Sequence, residues 1–330
     1  MLYPLKFKPI HKTKLWGGSK LSRYYRHDAG ELTQVGETWD VSGVEGSESE
    51  VENGFLAGNT LNELVEVYMG DLVGDAVYNR FGDQFPLLVK LIDSAQNLSI
   101  QVHPNDEIAA ERHNMSGKTE MWYVLDAEPG AFLVAGFCCP MDKTTYLQLV
   151  AENRLEEVLQ KHPVSKGDLF FIPAGCVHSI GAGCVLLEIQ QTSDLTYRIY
   201  DYNRLDSDGQ LRELHTDLAI DAIDFEHWQN NKIVPADLHN DVAKVVECDY
   251  FVSNIIKVDK PQEYDLAPID SFVLLTVLEG HVKCEFDDDY ITLVDGETML
   301  IPAEMTSLVL VPTGEVKLLE VYVNRNKLSL

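Results

Sequence analysis

The chain has 330 residues, 45% hydrophobic and 24% charged, an ordinary globular composition that allows a sizeable core and about two domains. Its 26 Lys and Arg against 53 Asp and Glu leave a net charge of −27, which argues against the basic face that nucleic-acid binding requires. No apolar run approaches the ~20 residues of a membrane span, and the N-terminal MLYPLKFKPIHKTKLWGG lacks the continuous apolar stretch of a secretion signal, so a cytoplasmic protein is expected.

Along the chain, Thr60-Leu61-Asn62-Glu63 has the T-x-x-E pattern of a capping box, and Leu61, Leu64, Val65 and Tyr68 follow at helical spacing. Strand-like runs come next at 86–93, 98–104 and 120–127. A helix is expected over about 142–160, with Tyr146, Leu149, Val150, Leu155, Val158 and Leu159 on its apolar side. Further strands are expected at 168–175, 185–191 and 196–202, then a helix near 214–224. The polar stretch 229–246 looks like a link, and strands resume at 250–258, 271–286, 297–303, 307–312 and 316–323. Many short strands with Gly, Pro and Asp turns favour a barrel or sandwich. Cys138, Cys139, Cys176, Cys184, Cys248 and Cys284 form no CxxC pair and are expected to be reduced core or near-core thiols.

An internal repeat organises this pattern. The run from Lys166 to Gly175, KGDLFFIPAG, resembles that from Asp295 to Glu304, DGETMLIPAE, and each follows a similar strand, Trp122-Tyr123-Val124-Leu125 or Leu275-Thr276-Val277-Leu278. The expectation is a mainly β protein of two jelly-roll barrels with a few flanking helices: residues 1–240 as a metal-binding catalytic domain, and 241–330 as a metal-free barrel.

The chemistry-bearing residues concentrate in the first repeat. Gly167-x5-Pro173-x-Gly175-x2-His178 matches the second motif of the cupin fold: Gly167 turns the chain into a strand, Pro173 ends it, and Gly175 bends the backbone so that His178 returns to the interior. The second copy has Glu304 and Ser307 at the places of Gly175 and His178, and so lacks this ligand. In a strand over 98–103, Ser99, Gln101 and His103 share a face opposite Leu98, Ile100 and Val102. Lys118 and Glu120 likewise share a face. Gln101, His103, Glu120 and His178 form a mixed N/O set suited to Zn²⁺, and open to Fe, Mn or Co. Arg198 offers a fork of donors for phosphate or an oxyanion, and Lys118 a point charge. The bland alternative for Arg198 is a structural ion pair with Asp194 or Glu188. His113, His162, His215 and His227 are expected at the surface.

The runs Gln101 to Asp106, Gly117 to Tyr123, Pro173 to His178 and Gln190 to Tyr202, with Leu15-Trp16-Gly17-Gly18 and Gly36-Glu37-Thr38-Trp39 upstream, resemble the short bacterial form of type I mannose-6-phosphate isomerase, a cupin family. The resemblance covers about 1–225 in recognisable motifs. It implies a zinc-dependent aldose–ketose isomerase that interconverts mannose 6-phosphate and fructose 6-phosphate through a cis-enediol, with one Zn²⁺ per chain. The family's ligand positions fall on Gln101, His103, Glu120 and His178, and its active-site arginine on Arg198. Lys118 and Asp194 match positions for proton transfer or substrate contact. Ser99, Lys118 and Arg198 are expected to bind the sugar phosphate, in a monomer or homodimer. An Fe-dependent cupin dioxygenase is the rival enzyme, but such enzymes usually keep an His-x-His pair where this chain has Gln101-x-His103. A non-catalytic sugar-phosphate-binding cupin is the other alternative. The acidic total sets one condition on all of these: an anionic substrate needs basic residues at the site itself, because screening removes the overall repulsion only beyond ~8 Å.

Overall fold

A computed structural model of the chain describes residues 1–24, 34–206, 208–226, 231–236 and 240–324. Strand Glu120–Ala127 shows how its layers arise. Met121, Tyr123 and Leu125 enter one core, whereas Trp122 and Val124 enter another. Both faces are therefore covered, and the alternating side chains serve two cores at once.

The first half builds a seven-stranded antiparallel sheet in the order Ile10–Gly18, Val35–Val41, Leu87–Ser94, Cys184–Gln191, Glu120–Ala127, Leu169–Ile172 and Lys232–Ile233. Facing it is a five-stranded sheet in the order Tyr197–Tyr200, Ile100–Val102, His178–Ile180, Phe132–Phe137 and Leu159–Pro163. Trp122, Phe170 and Leu186 of the first meet Leu133, Ala135 and Ile180 of the second in the core between them. The second half repeats the plan. Strands Val242–Glu247, Val252–Val258, Val316–Tyr322, Val273–Glu279 and Thr298–Ile301 face Gln262–Asp265, Ser307–Pro312, Val282–Phe286 and Asp289–Leu293 over an apolar interior. These are two cupin-type units with flanking helices.

Strand register makes the repeat physical. Glu120 pairs with Ile172 in the first unit as Val273 pairs with Ile301 in the second, so the place of Glu120 is taken by Val273. The two larger sheets pack back to back. Val89, Leu187 and Ile189 of the first half share one core with Ile255, Leu274 and Leu319 of the second. The N-terminal segment adds a stitch: Leu5 and Leu300 exchange backbone hydrogen bonds of 2.8 and 2.9 Å, and Lys6 pairs with Glu297 at 2.8 Å.

Helix Leu61–Val73 carries the expected capping box at Thr60 and Glu63 and buries Leu61, Leu64 and Val65. The expected helix over 142–160 is shorter. It spans Lys143–Ala151, and Asn153 then turns left-handed at φ 55°, before a 3-10 turn at Leu155–Val158 and a strand from Leu159. His162 consequently lies half-buried in a strand rather than on a surface loop. Helices Asp75–Phe81 and Asp106–His113 are additions, and the helix expected near 214–224 spans Thr216–Ala222. The stretch 229–246 is not simply a link: Lys232–Ile233 pairs with Leu169 and Phe170, and Val242 opens a strand of the second half. His227 lies outside the described residues. All six cysteines are free; Cys176, Cys184 and Cys284 are buried, but Cys138 is exposed.

Candidate functional site

The sheet register gathers the site. Across the five-stranded sheet, Arg198 pairs with Gln101, and Gln101 with His178, so three polar side chains stand in one row. Glu120 comes from the opposite sheet, where Lys90, Glu188 and Trp122 occupy one row of paired positions. His103 follows the end of strand Ile100–Val102, and its carbonyl accepts from the Gly175 amide at 2.9 Å. Gly167 and Gly175 have φ values of 93° and 86°, the left-handed turns that direct His178 inward.

His103, Glu120 and His178 offer three ligand atoms within 4.8 Å of one another, all buried. The Nδ1 atom of His103 donates to the Leu195 carbonyl at 2.8 Å, and that of His178 to the Cys176 carbonyl at 2.9 Å. Those bonds fix the proton on Nδ1 and leave both Nε2 lone pairs facing inward. Glu120 Oε1 lies 3.2 Å from His178 Nε2 and 3.5 Å from His103 Nε2, and no hydrogen-bond donor reaches it. Neither contact is an ion pair. Burial holds the His178 imidazole below its ordinary pKa despite Glu120, and burial aided by Lys118 and His178 lowers that of His103 further. Burial also opposes ionisation of Glu120, but the charge and hydrogen bond of Lys118 outweigh it and hold the carboxyl below its ordinary pKa. Two imidazole Nε2 atoms and one carboxylate oxygen thus converge, and of the three only Glu120 Oε1 has no donor within reach. A buried carboxylate oxygen left without a donor is costly unless a cation meets it, and the His₂Glu donor set fits a divalent metal.

Gln101 sits at the fringe. Its Oε1 accepts from Ser99 Oγ at 3.1 Å, and its Nε2 lies 3.2 Å from His178 Nε2; turning the amide over would point the oxygen at the cluster instead. Lys118 Nζ donates to Glu120 Oε2 at 2.5 Å and His103 Nε2 at 3.1 Å. Burial disfavours its charge, yet Glu120 and Glu188 more than compensate and raise its pKa.

A cavity of about 310 Å³ opens beside the cluster, a size suited to a small ligand. Ser99, Gln101, Lys118, His178, Asp194 and Arg198 all line it, so the sequence-derived set meets in one place. Arg198 is not in the ion pair weighed for it. Its Nη1 donates to the Glu213 carbonyl at 2.8 Å, and its Nε is buried without a partner. Sequence reasoning missed the rest of the wall. Lys14, Glu37, Lys90 and Glu188 come from adjacent strands, and Arg212 from beyond Tyr202. Trp16 and Trp39, quoted only as signatures, also line the cavity. Lys90 was detectable in principle as a lone cation in an apolar strand.

Residues 4–135 match the family described as "Phosphomannose isomerase type I, catalytic domain", and residues 241–323 match "Mannose-6-phosphate isomerase, cupin domain". The chain is 36% identical over 302 residues to mannose-6-phosphate isomerase ManA of Bacillus subtilis, covering 91% of this chain and 93% of that protein. It is 32% identical to a mannose-6-phosphate isomerase of Streptococcus mutans, over 93% and 95% of the two chains. The crystal structure of a Bacillus subtilis mannose 6-phosphate isomerase superimposes with a TM-score of 0.87 at 31% identity, covering 98% of this chain and all of the other. A putative mannosephosphate isomerase from Archaeoglobus fulgidus shares the fold, with a TM-score of 0.76 at 20% identity.

Proposed function

The chain belongs to the type I phosphomannose isomerase family, and we propose that it interconverts D-mannose 6-phosphate and D-fructose 6-phosphate with one Zn²⁺ held by His103, Glu120 and His178, and by Gln101 as fourth ligand. One observation carries the metal assignment: the buried, unpartnered Oε1 of Glu120 between two neutral imidazole nitrogens. When bound, the cation would polarise the C1 and C2 oxygens of the sugar.

The remaining work falls to the chain. Isomerisation moves a proton from C2 to C1 through a cis-enediol while the hydroxyl proton on O2 is lost and O1 gains one. The carboxylate of Asp194, on the cavity wall, is the basic group for the carbon-bound proton. Lys118, kept charged by Glu120 and Glu188, is suited to donate to the developing oxyanion rather than to act as a base. Arg198 adds a fixed fork of donors and, with Ser99 and Lys118, binds the substrate. Residues 1–240 form the catalytic unit and 241–330 the companion barrel, whose interior carries Val273 at the place of Glu120. The enzyme works in the cytoplasm, as a monomer or homodimer. No helix among the described residues is long and apolar enough to cross a membrane.

A coupled assay from mannose 6-phosphate to fructose 6-phosphate, with and without chelator, tests this directly. Turnover that disappears with chelator and returns with Zn²⁺ is expected; full turnover by metal-free protein would refute the metal assignment.

A further inference from the structure

A phosphorylated substrate needs local positive charge, and the lysines of the cavity do not supply it. Lys14 is paired with Glu37 at 3.2 Å, Lys90 with Glu188 at 3.3 Å and Lys118 with Glu120 at 2.5 Å. Each ammonium has its own carboxylate, so the three pairs offer a dianion little net attraction.

The segment from Arg198 to His215 is different. Arg204 and Arg212 share a single buried carboxylate, Asp201, which contacts Arg204 and accepts from Arg212 Nη1 at 3.0 Å. No carboxylate among the described residues lies within ion-pair reach of Arg198, and its Nε has no partner. Buried Asp201 thus offsets only one of the three guanidinium charges, and the other nearby carboxylates, Asp194 and Glu213, are exposed to solvent, which leaves local positive charge for a phosphate monoester. Of the three arginines, Arg198 and Arg212 line the cavity.

Local sequence explains how Arg212 reaches it. Asp206 Oδ1 accepts from the amides of Asp208 and Gln210 at 2.9 Å each, closing a tight turn. Arg212 N then donates to Arg204 O at 3.2 Å on the antiparallel return. Immediately beyond, His215 N donates to Arg198 O at 2.7 Å, and Arg198 N donates to His215 Nδ1 at 3.1 Å. The stretch 212–215 therefore delivers one guanidinium and clamps the strand that carries the other.

We propose that Arg212 is a substrate-binding residue that grips the phosphate of the hexose phosphate together with Arg198, and that Asp201 is the positioning residue that aims it. The planar fork of each guanidinium matches a pair of phosphate oxygens, which an ammonium cannot do. The proposal rests on the isomerase activity given above.

The test is steady-state kinetics of Arg212→Ala, Arg212→Lys and Asp201→Asn in the metal-loaded full chain, with inhibition constants for inorganic phosphate and for D-mannose. Arg212→Ala should raise KM for mannose 6-phosphate and the inhibition constant of inorganic phosphate together, by about 10- to 100-fold. The turnover number and bound metal should stay as in the wild type, the pattern of lost uniform binding. The inhibition constant of uncharged D-mannose should not move. Asp201→Asn should raise KM by a smaller factor, again without changing turnover. Should Arg212→Ala fail to fold, Arg212→Lys carries the same test with a smaller rise. An unchanged KM in a folded Arg212 variant, or equal losses for phosphate and D-mannose, would overturn the proposal. A folded, metal-loaded wild type that does not isomerise mannose 6-phosphate would instead refute the activity, and phosphate binding by calorimetry would still report on Arg212.

Discussion

Replacing Glu120 with Gln keeps volume and shape and removes one charge from the centre of the site. Two effects follow, and they separate experimentally. The first is on the metal. Binding free energies for fully liganded structural zinc run to ~10–16 kcal/mol, and Glu120 is the anionic member of a set of three with two neutral imidazoles. Losing about a third of that, roughly 3–5 kcal/mol, weakens the metal by a factor of about 10² to 10⁴. The second effect is on the metal-free fold. Lys118 Nζ sits 2.5 Å from Glu120 Oε2, with only 5% and 1% of the two side chains exposed, and its next carboxylate is Glu188 at 3.8 Å. Breaking a buried pair from one side costs about 3–5 kcal/mol, because the other charge is stranded. Metal content after dialysis against a weak chelator, the coupled isomerase assay and thermal unfolding in excess chelator read the effects in turn. Metal, turnover and apo stability should all fall. Stoichiometric metal at wild-type affinity in a folded Glu120→Gln protein would refute the assignment of the carboxylate as a ligand.

Other outcomes follow from neighbouring observations. Arg198→Ala should leave metal content intact and lower kcat/KM for mannose 6-phosphate by about 10²-fold or more; simultaneous metal loss in elemental analysis would make it a structural residue. In the second barrel, burial raises the pKa of the Glu320 carboxyl, although hydrogen bonds from Tyr264 and Asn254 partly oppose the rise. A carboxyl whose folded pKa exceeds the unfolded value stabilises the fold while protonated, and that contribution is lost as pH rises through the folded pKa. Glu320→Gln should therefore gain stability relative to the wild type between acid and neutral pH, read as the gap between two denaturation series; a gap independent of pH would refute it. Thr60→Ala should cost about 1 kcal/mol in denaturant unfolding by removing the cap of helix Leu61–Val73, and an unchanged midpoint would show that the helix is held by packing alone.

What the sequence made legible was local. Gly167, Pro173, Gly175 and His178 lie within a dozen residues, and the turn chemistry that aims the histidine is written in their identities. The repeat was readable for the same reason, and with it the contrast between Glu120 and Val273 once the register is known. The missed residues belong to strands covered on both faces. Leu87–Ser94 and Cys184–Gln191 are buried throughout, so alternation between wet and dry sides vanishes, and the inward direction of Lys90 and Glu188 can be read only from the sheets. Glu320 matches Glu188 in register, each opposite the residue that aligns in the repeat, Leu275 or Trp122. Helix Asp106–His113 went unseen because only Ala109 is buried on it; its signals lay at the ends, in the Asn105 cap, the acidic first turn and the left-handed Asn114. The helix expected to run to 160 failed for the opposite reason. Apolar spacing continued past Asn153, while the backbone turned left-handed there.

The bond between Leu5 and Leu300 bears on how the polypeptide is born. Ribosomes release residues in order, so Leu5 emerges long before Leu300 and waits for that partner strand. Until then the seven-stranded sheet also lacks the cover that Ile255, Leu274 and Leu319 bring to its outer face. A nascent chain halted near residue 240 should thus display a broad greasy wall and a dangling arm, an attractive client for chaperones. Cutting the finished gene at that point should yield an insoluble first half rather than a miniature enzyme.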